Sequence, residues 1–486
     1  MDFLTQAVEA VNAFLWDFAL LFLLCGTGIY FTVRLRFVQV RKFVAGLKAV
    51  FGNVRLRGEK ANKDGMSSFQ SLTTAVAAQI GTGNIAGAAT AIVAGGPGAI
   101  FWMWVSAFFG MATIFAEATL AQQFKTRVDG EVTGGPVYYI RAFFTGKFGK
   151  FLAGFFSVAI VLALGFMGNM VQSNSIGASF EAAFGLHPAI IGAVVAVAAV
   201  FVFLGGAQRI SAVTEKVVPV MALLYVVGSL VVLAINYRNV PGAFAQIFTM
   251  AFAPQAVAGG VVGITVQKAI RYGVARGLFS NEAGMGSTPH AHARAKVKHP
   301  CEQGEVAMIG VFIDTSLGLT LTALVILATG SLGSGKDGAE LAQYAFHSVF
   351  GVFGDWFIAG SMLLFGFSTI IGWYFFGEVN VRHLFGKKAV KPYAVLVGLF
   401  IVLGSCLKVQ FVWDLSDMFN GLMVIPNLIG VLALSGVVAL LCRRYEAGNL
   451  SPLQWRRQPR RRGRAPAAER AASAEAQGGD EEGNGV

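Results

Sequence analysis

The residues that decide the fold are 79–87, which read Gln-Ile-Gly-Thr-Gly-Asn-Ile-Ala-Gly. They lie inside an apolar stretch at 69–94 that is long enough to cross a lipid bilayer as a helix. Glycines on both sides of a threonine loosen a helix, and unwound backbone is tolerated inside a membrane only where it lines a cavity. Close packing of two helices through small residues, as in Gly83-x-x-x-Gly87, is the alternative interpretation of this stretch.

A second interruption lies at 277–287 and reads Gly-Leu-Phe-Ser-Asn-Glu-Ala-Gly-Met-Gly-Ser. It falls inside another predicted membrane span, 255–289, and contains an acidic residue, Glu282. An ionisable group within a membrane is costly, and its presence favours a functional role. The basic residues upstream of it need water or acidic partners, for which Glu282 and Asp314 are the candidates. These basic residues are Lys268, Arg271 and Arg276.

The composition is that of an integral membrane protein. Of the 486 residues, 55% are hydrophobic and only 13% are charged, whereas a soluble domain carries about 25% charged residues. The net charge of +12 is explained by basic loops beside membrane spans rather than by binding of nucleic acid. We predict an all-α polytopic membrane protein with about 11 transmembrane helices. The predicted spans are 12–33, 69–94, 97–122, 151–182, 188–206, 213–236, 255–289, 303–331, 355–380, 393–407 and 411–442.

Lysine and arginine cluster in every second predicted loop, which sets the orientation of the chain. Such loops face the cytoplasm, so an odd number of spans places the N-terminus outside and the C-terminus in the cytoplasm. Residues 443–486 are rich in Arg, Ala, Gly and Glu, and this composition predicts a disordered basic tail whose arginines touch anionic lipid headgroups. The basic loops contain residues 34–60, 125–150, 209–216, 294–298 and 382–391.

The two interruptions lie five predicted spans apart. Because five is odd, the two interrupted helices run in opposite directions through the bilayer. Paired, glycine-interrupted spans are typical of a transporter built from an inverted repeat, with its site at the membrane midplane. There, exposed amides attract a carboxylate and freed carbonyl oxygens hold a cation. The predicted transmembrane domain, 1–442, then consists of an extra helix at 12–33 and two repeats at 69–236 and 255–442.

The sequence lacks the motifs of other functional classes. It contains no phosphate-cradling Walker loop, no zinc-binding helix motif and no nucleophile elbow, so neither an enzyme nor an ATP-driven pump is predicted. An ion channel would need a symmetric pore element or a ring of charge, which one chain with two interrupted helices does not provide. No cofactor is expected beyond a co-transported ion.

Four segments carry a further signal: Gly81-Thr82-Gly83-Asn84-Ile85-Ala86-Gly87, Gly95-Gly96-Pro97-Gly98-Ala99, Gly134-Gly135-Pro136, and Phe279-Ser280-Asn281-Glu282-Ala283-Gly284-Met285-Gly286-Ser287, which continues to Ala293. In them the sequence closely resembles the alanine/glycine:cation symporter family. The resemblance runs from about residue 10 to about residue 442. It implies a LeuT-like core of ten helices preceded by one extra helix. It also implies sodium-coupled uptake of alanine or glycine across a prokaryotic plasma (inner) membrane.

Residues for binding a substrate follow from the interruptions. Unwinding exposes amide groups around Thr82 and Gly83, and these suit a substrate carboxylate. Carbonyl groups near Phe279 and Asn281 can accept hydrogen bonds from the amino group. We therefore predict that an amino acid lies between the two interruptions.

Three side chains can shape the same pocket. Gln172 belongs to a polar cluster in the fourth predicted span, where it either contacts the substrate or bonds a neighbouring helix. Phe279 and Trp373 are large enough to close a small pocket and exclude bulky side chains. Core packing is the alternative interpretation of both aromatic residues.

A sodium site is predicted in the ninth span. Ser368 and Thr369 are adjacent hydroxyl residues, and in LeuT-like transporters this helix supplies paired hydroxyls to a sodium ion. By that resemblance, carbonyl groups near Ala78 and Gly81 complete the site. The alternative is that each hydroxyl bonds the backbone of its own helix. A proton-coupled symporter and an amino-acid exchanger are the rival functions; proton coupling favours a titratable residue at the cation site, and this pair offers none.

The remaining ionisable residues have simpler interpretations. Glu117 and Glu378 lie near predicted cytoplasmic helix ends, where loop cations are expected to pair with them. Asp314 lies deeper and is predicted to belong to a gate or a charge network. A surface or gate role is predicted for His290 and His292, because the sequence suggests no third metal ligand. The expected partners are therefore the amino acid, sodium and the lipid bilayer.

Overall fold

The computed structural model describes residues 2–52, 65–252, 266–407, 409–451 and 453. Within these residues, eight helices are long and apolar enough to cross a membrane. A further span consists of two shorter helices, Ser68–Gln79 and Gly83–Gly95, which meet at a bend of 48°. The eight long helices are Thr5–Arg34, Gly98–Gln123, Gly146–Phe184, Gly206–Ile235, Pro300–Ala328, Val352–Phe385, Lys387–Cys406 and Val412–Ala433.

The bent pair begins and breaks at local sequence signals. The Ser67 hydroxyl accepts a hydrogen bond of 3.0 Å from the Gln70 amide, and Gln70 Oε1 accepts one of 3.2 Å from the Ser67 amide. This reciprocal cap starts the first helix. The helix stops because Ile80 leaves the helical region, with ψ at 83°. The chain resumes as a π-helical turn at Gly83–Gly87 and continues as the helix Ala88–Gly95.

The second interrupted span contains the helices Val266–Asn281 and Pro289–His292. Between them the backbone is irregular, and Glu282, Gly284 and Gly286 have positive φ angles of 57°, 93° and 77°. Both glycine-rich interruptions predicted from the sequence are thus confirmed as breaks in helices.

Shorter elements connect the long helices. An antiparallel hairpin pairs the strands Thr126–Val128 and Glu131–Thr133, with Arg127 opposite Val132. The helix after it, Pro136–Phe143, has a proline in its first turn, where the missing amide is tolerated. The other helices are Val38–Arg41, Phe43–Phe51, Pro188–Phe203, Val240–Phe252, Gly338–Phe350 and Ser435–Glu446, with 3-10 turns at Tyr237–Asn239 and Ser331–Ser334.

The observed helices correspond to the predicted spans. The long helices and the bent pair account for nine of them, and Pro188–Phe203 is a shorter form of the fifth. Val266–Asn281 covers part of the seventh, 255–289, whose first residues lie outside the described part of the chain. The number of membrane crossings and the division into two repeats stay predictions.

The last helix continues beyond the predicted end of the transmembrane domain at residue 442. Ser435–Glu446 includes Arg443 and Arg444 in its last turn, where basic side chains interact favourably with the negative end of the helix dipole. Residues 454–486 of the predicted tail lie outside the described residues.

Burial separates central helices from peripheral ones. In the helix Val352–Phe385, 67% of the most apolar stretch of 18 residues is buried inside the protein, against 28% in the helix Gly206–Ile235. The peripheral helix exposes large apolar side chains such as Leu223, which suits contact with lipid. The helix Val352–Phe385, called the central helix below, carries three of the predicted site residues: Ser368, Thr369 and Trp373.

Candidate substrate and cation site

The break in the first interrupted span frees two backbone amides. The Thr82 amide donates a hydrogen bond of 3.1 Å to Gln172 Oε1, and the Gly81 amide donates one of 3.1 Å to Asn84 Oδ1. Regular helical partners are lost here because Ile80 leaves the helical region. Side chains therefore contact both amides, and the Gly81 amide also donates a hydrogen bond of 3.0 Å to the carbonyl oxygen of Gln79.

The central helix reaches the same break through the hydroxyl of Thr369. Thr369 Oγ1 donates a hydrogen bond of 2.8 Å to the carbonyl oxygen of Ala77. A Cβ atom at Gly81 would overlap the same hydroxyl, so the close approach of the two segments requires a glycine. Ala78 is also close to this helix, because a Cβ atom at Gly372 would lie 3.1 Å from its nitrogen.

Ser368 is buried beside Thr369 but has different partners. Its hydroxyl donates a hydrogen bond of 2.9 Å to the carbonyl oxygen of Phe365 and lies 3.3 Å from Met221 Sδ. The bond to Phe365 stays within the helix, which is the alternative that the sequence left open. Thr369 thus contacts the first break, whereas the contacts of the Ser368 hydroxyl lie elsewhere. The role of both residues as sodium ligands stays a prediction.

The second break is fixed by contacts around Glu282. Its φ of 57° is uncommon for a residue with a side chain. The Glu282 carboxylate accepts hydrogen bonds from Trp373 Nε1 and from the Ser287 hydroxyl, and all three residues are buried. Asn281 Oδ1 accepts a further bond of 3.0 Å from the Ala283 amide. These contacts hold the irregular backbone and orient the indole ring of Trp373.

The two breaks contact each other directly. Gln79 Nε2 donates a hydrogen bond of 2.7 Å to the carbonyl oxygen of Asn281. Phe279 lies against Gly83, where a Cβ atom would be 3.2 Å from a ring carbon. The Phe279 ring also meets Trp373 edge-on, with centroids 5.5 Å apart. The structure therefore brings together candidate substrate residues from both breaks and from the central helix.

Two polar atoms at this place have no hydrogen-bond partner in the described part of the protein. They are the hydroxyl of Thr82 and the Nε2 atom of Gln172. Both residues are fully buried, and leaving a buried polar group unsatisfied costs about 1–3 kcal/mol. Native proteins rarely keep such groups without a reason. A small polar ligand that reaches both atoms at the first break would satisfy them.

The predicted pairing of Glu117 with a loop cation is wrong. Its carboxylate accepts hydrogen bonds from the amides of Gly284 at 2.9 Å and Gly286 at 3.0 Å, and from Asn427 Nδ2 at 2.5 Å. The backbone partners are 167 and 169 residues away along the chain, so local sequence could not reveal them. An acidic residue inside an apolar helix was the only signal of this role.

The predicted charge network around Asp314 is wrong, because its hydrogen-bond partners in the described structure are neutral, and a gate role stays a prediction. Asp314 accepts hydrogen bonds from Asn84 Nδ2 at 2.7 Å, Ser280 Oγ at 2.8 Å and Thr315 Oγ1 at 2.8 Å. Asn84 belongs to the first break, and Ser280 lies just ahead of the second. Sequence reasoning did not select either of them as a site residue, although both lie in the quoted segments.

Two of the three basic residues ahead of the second break, Arg271 and Arg276, have partners other than the candidates named from the sequence. Arg276 pairs with Asp417 at 2.8 Å and lies 4.5 Å from the ring centroid of Trp413. Arg271 pairs with Asp17 at 2.8 Å. For Arg271 and Arg276 the candidate partners Glu282 and Asp314 are wrong, because those carboxylates are hydrogen-bonded to neutral groups. The true partners come from the first and last long helices.

Charged residues surround a cavity of about 270 Å³ at the end of the bundle where the basic loops lie. Glu131 of the hairpin pairs with Arg294 at 3.6 Å and with Arg382 at 3.3 Å. Glu378 pairs with Arg382 at 2.9 Å, which confirms the predicted pairing of Glu378 with a cation. These ion pairs tie the hairpin to the central helix and to the segment after the second break.

The predicted surface position of the two histidines is wrong, and a gate role stays a prediction. Both are buried on the short helix after the second break. The His290 ring lies 2.9 Å from Asn380 Nδ2, and the His292 ring lies 2.7 Å from Gln303 Nε2.

The described chain combines long apolar helices with two broken helices that contact each other. This combination defines a class of multi-pass membrane protein. The fold is similar to that of MhsT, solved in complex with L-phenylalanine, with a TM-score of 0.54 and 15% sequence identity. The match covers 81% of this chain and 100% of that chain. The architecture is therefore the LeuT-like fold of multi-pass transporters.

The family follows from the sequence comparison. The profile of the sodium:alanine symporter family matches residues 1–454, and the chain belongs to this family of transporters, which are not enzymes. It is 42% identical to the sodium/alanine symporter AgcS of Methanococcus maripaludis, over 90% of this chain and 96% of that protein. It is 41% identical to the probable sodium/glutamine symporter GlnT of Bacillus subtilis, over 91% of each chain. The family resemblance seen in the sequence is thus confirmed.

Proposed function

We propose that this transporter is a sodium-coupled symporter that carries a small neutral amino acid, alanine or glycine, into the cell. The observation that carries the proposal is the pair of unpartnered atoms, the Thr82 hydroxyl and Gln172 Nε2, buried at the first break. A zwitterionic amino acid supplies hydrogen-bonding groups for both. Two relatives, a sodium/alanine symporter and a probable sodium/glutamine symporter, support an amino-acid substrate.

The substrate carboxylate faces the freed backbone around Thr82 and Gly83, and the amino group faces carbonyl oxygens near Phe279 and Asn281. Phe279 and Trp373 close the pocket on its apolar side, and their edge-on contact leaves little room for a long side chain. Alanine and glycine are therefore the expected substrates. Glutamine, which is larger, would require these two rings to separate.

Sodium binds where the central helix meets the first break. Its ligands are the hydroxyls of Ser368 and Thr369 and carbonyl oxygens near Ala78 and Gly81. The supporting observation is that Thr369 Oγ1 contacts the first break. Gly81 adjoins both this hydroxyl and the Gln172 side chain, so the proposed cation and substrate residues are neighbours. A cation at this place stabilises the unwound backbone that the substrate also needs, which couples the two binding events.

The protein functions in a prokaryotic plasma (inner) membrane, with the N-terminus outside and the C-terminus in the cytoplasm. The distribution of lysine and arginine among the loops supports this orientation. Ion flow then drives the rocking of one group of helices against another around the site.

Binding of labelled alanine to the purified protein in detergent tests this proposal. Sodium is expected to raise the affinity for alanine, glycine to compete, and leucine not to compete. Thr369→Ala is expected to lose the effect of sodium. Thr249→Ala is the matched control, because the Thr249 hydroxyl is exposed and bonds Ala245 of its own helix at 2.8 Å. Alanine binding that responds to pH but not to sodium would replace the proposal by proton coupling.

A further inference from the structure

The cavity between the hairpin and the central helix has a volume of about 270 Å³ and is lined from three of the predicted basic loops. Arg141 comes from the loop at 125–150, Arg294 from the loop at 294–298 and Arg382 from the loop at 382–391. Three arginines from distant parts of the chain therefore surround one space. Its volume is just below the range of about 300–1,000 Å³ that is typical of ligand pockets, so it suits a small polar group.

Positive charge exceeds negative charge in the lining of this cavity. Two carboxylates, those of Glu131 and Glu378, also line it, and both are already in ion pairs. Glu131 is paired with Arg294 and Arg382, and Glu378 is paired with Arg382. Arg141 is exposed and belongs to none of the ion pairs formed by the described residues. Three arginines thus face two carboxylates, and one positive charge is left without a counterpart.

The arginines that are already in ion pairs still have unused donors. The Nε atoms of Arg294 and Arg382 are enclosed and have no hydrogen-bond partner among the described residues, and Arg294 is only 4% exposed. Glu131 lies 3.6 and 3.3 Å from these two side chains, whereas a close charge-assisted hydrogen bond measures about 2.7–2.9 Å. Glu131 therefore does not saturate the two guanidinium groups. A phosphate group, with several acceptor oxygens, matches the planar donor fork of arginine.

Exposed apolar side chains flank the cavity along the chain. Phe143, Phe385 and Leu204 each lie within three residues of a residue that lines it. Their exposed fractions are 37%, 71% and 59%. Large apolar side chains on the outside of a membrane protein suit contact with acyl chains. A ligand with a phosphate at one end and acyl chains at the other matches both the basic lining and these apolar flanks, whereas a free anion matches only the lining.

We propose that this cavity binds the head group of an anionic phospholipid. Its phosphate lies at Arg141, Arg294 and Arg382, and its acyl chains lie along Phe385 and Leu204. Basic pockets between membrane helices on the cytoplasmic side are typical of sites for anionic head groups. Because the same arginines tie the hairpin to the central helix, the bound lipid stabilises this end of the bundle. The inference uses neither the proposed substrate pocket nor the proposed cation site.

Native mass spectrometry of the purified full chain in detergent tests the inference, with added dioleoylphosphatidylglycerol or dioleoylphosphatidylcholine as the probe. We expect wild type to retain one phosphatidylglycerol molecule at concentrations at which phosphatidylcholine is not retained. Arg141→Gln is expected to lower the affinity for phosphatidylglycerol about fivefold, because one arginine no longer faces the phosphate. Lys147→Gln is the matched control and keeps the wild-type affinity, since Lys147 is an exposed cation of the same loop that does not line the cavity.

The comparison of the two lipids on wild type decides the inference, whether or not a variant folds. Equal retention of both lipids overturns it, and so does an equal loss of affinity in the two variants, which would reduce the effect to general surface charge. Equal protection against thermal unfolding by inorganic phosphate and by phosphatidylglycerol at the same concentration would assign the cavity to a free anion and also overturn it. Failure of the proposed function is read separately, as absence of alanine binding in a protein that retains the lipid.

Discussion

Gln172 connects the proposed substrate pocket to the first break through its two amide atoms. Oε1 accepts a hydrogen bond from the Thr82 amide, and Nε2 is free for a ligand. In Gln172→Leu, which has similar size, both interactions are lost. We expect the affinity for alanine to fall by about 1–3 kcal/mol, or about 5- to 150-fold, in an equilibrium binding assay. Gln410→Leu is the control, because Gln410 is exposed. Unchanged affinity in Gln172→Leu would remove this residue from the site.

Gly81 lies close to Thr369 and Gln172, where the proposed cation site and the proposed substrate pocket adjoin. An added methyl group would overlap the Thr369 hydroxyl and lie 3.1 Å from Gln172 Oε1. Gly81→Ala is therefore expected to weaken sodium-dependent alanine binding by about tenfold or more, since both predicted ligand groups must move and a tenfold change corresponds to only about 1.4 kcal/mol. Gly87→Ala, in the same span, is the matched control: its added atom meets nothing closer than Trp413 at 4.0 Å. Equal binding by the two variants would contradict the close contact at Gly81.

His299 makes one helix start sensitive to pH. Its Nδ1 atom accepts a hydrogen bond of 3.2 Å from the Cys301 amide and so caps the helix that begins at Pro300, and its ring stacks on Tyr445. Burial, with a smaller effect of Arg444, lowers the pKa of His299 below its usual value.

The folded protein thus binds this proton less readily than the unfolded chain. The stability supplied by the cap is present above about pH 6.5 and is lost as the pH falls through and below that value. Between pH 7.5 and 5.5, we expect the melting temperature in detergent to fall more steeply for wild type than for His299→Asn, which keeps a cap that does not titrate. Parallel slopes would contradict this role.

At the scale of elements, Glu117 acts as a clamp, because its hydrogen bonds hold the backbone of the second break in its irregular conformation. Its carboxylate receives two backbone amides from a segment in which Gly284 and Gly286 have positive φ. Glu117→Gln keeps the shape of the side chain but replaces one acceptor oxygen by an NH2 group. This group faces a backbone amide that is itself a donor, so one hydrogen bond is lost. We expect a loss of about 2 kcal/mol in the free energy of unfolding, measured by thermal unfolding in detergent. The exposed Glu181→Gln should show no loss, and an equal effect of both would contradict the clamp.

The breaks themselves were readable in the sequence, because their signal is local. Glycine beside polar residues inside an apolar stretch identified Thr82, Gly83, Phe279 and Asn281, and the structure brings these together. The sequence does not show which residues form hydrogen bonds or ion pairs across the bundle. Arg276 was assigned to acidic residues in or near its own span, yet its partner lies 141 residues away. Hydrophobic periodicity describes which residues enter the membrane but not which helices become neighbours.

At the scale of the whole molecule, composition and spacing predicted a helical membrane bundle with two interrupted spans. The family resemblance predicted a sodium site in the ninth span, which is among the most buried long helices of the described chain. The connecting hairpin and its ion pairs with Arg294 and Arg382 were not predicted. Short strands and surface ion pairs depend on how distant helix ends assemble, and no periodic pattern encodes that assembly.

The bundle as a whole is expected to convert a sodium gradient into accumulation of an amino acid. The measurement that tests this most directly is uptake of labelled alanine by liposomes that contain the purified protein. With an inward sodium gradient, the account predicts alanine accumulation above the external concentration, reduced by glycine and abolished when sodium is equal on both sides. Accumulation that follows a proton gradient without sodium, or uptake that only exchanges one amino acid for another, would contradict it.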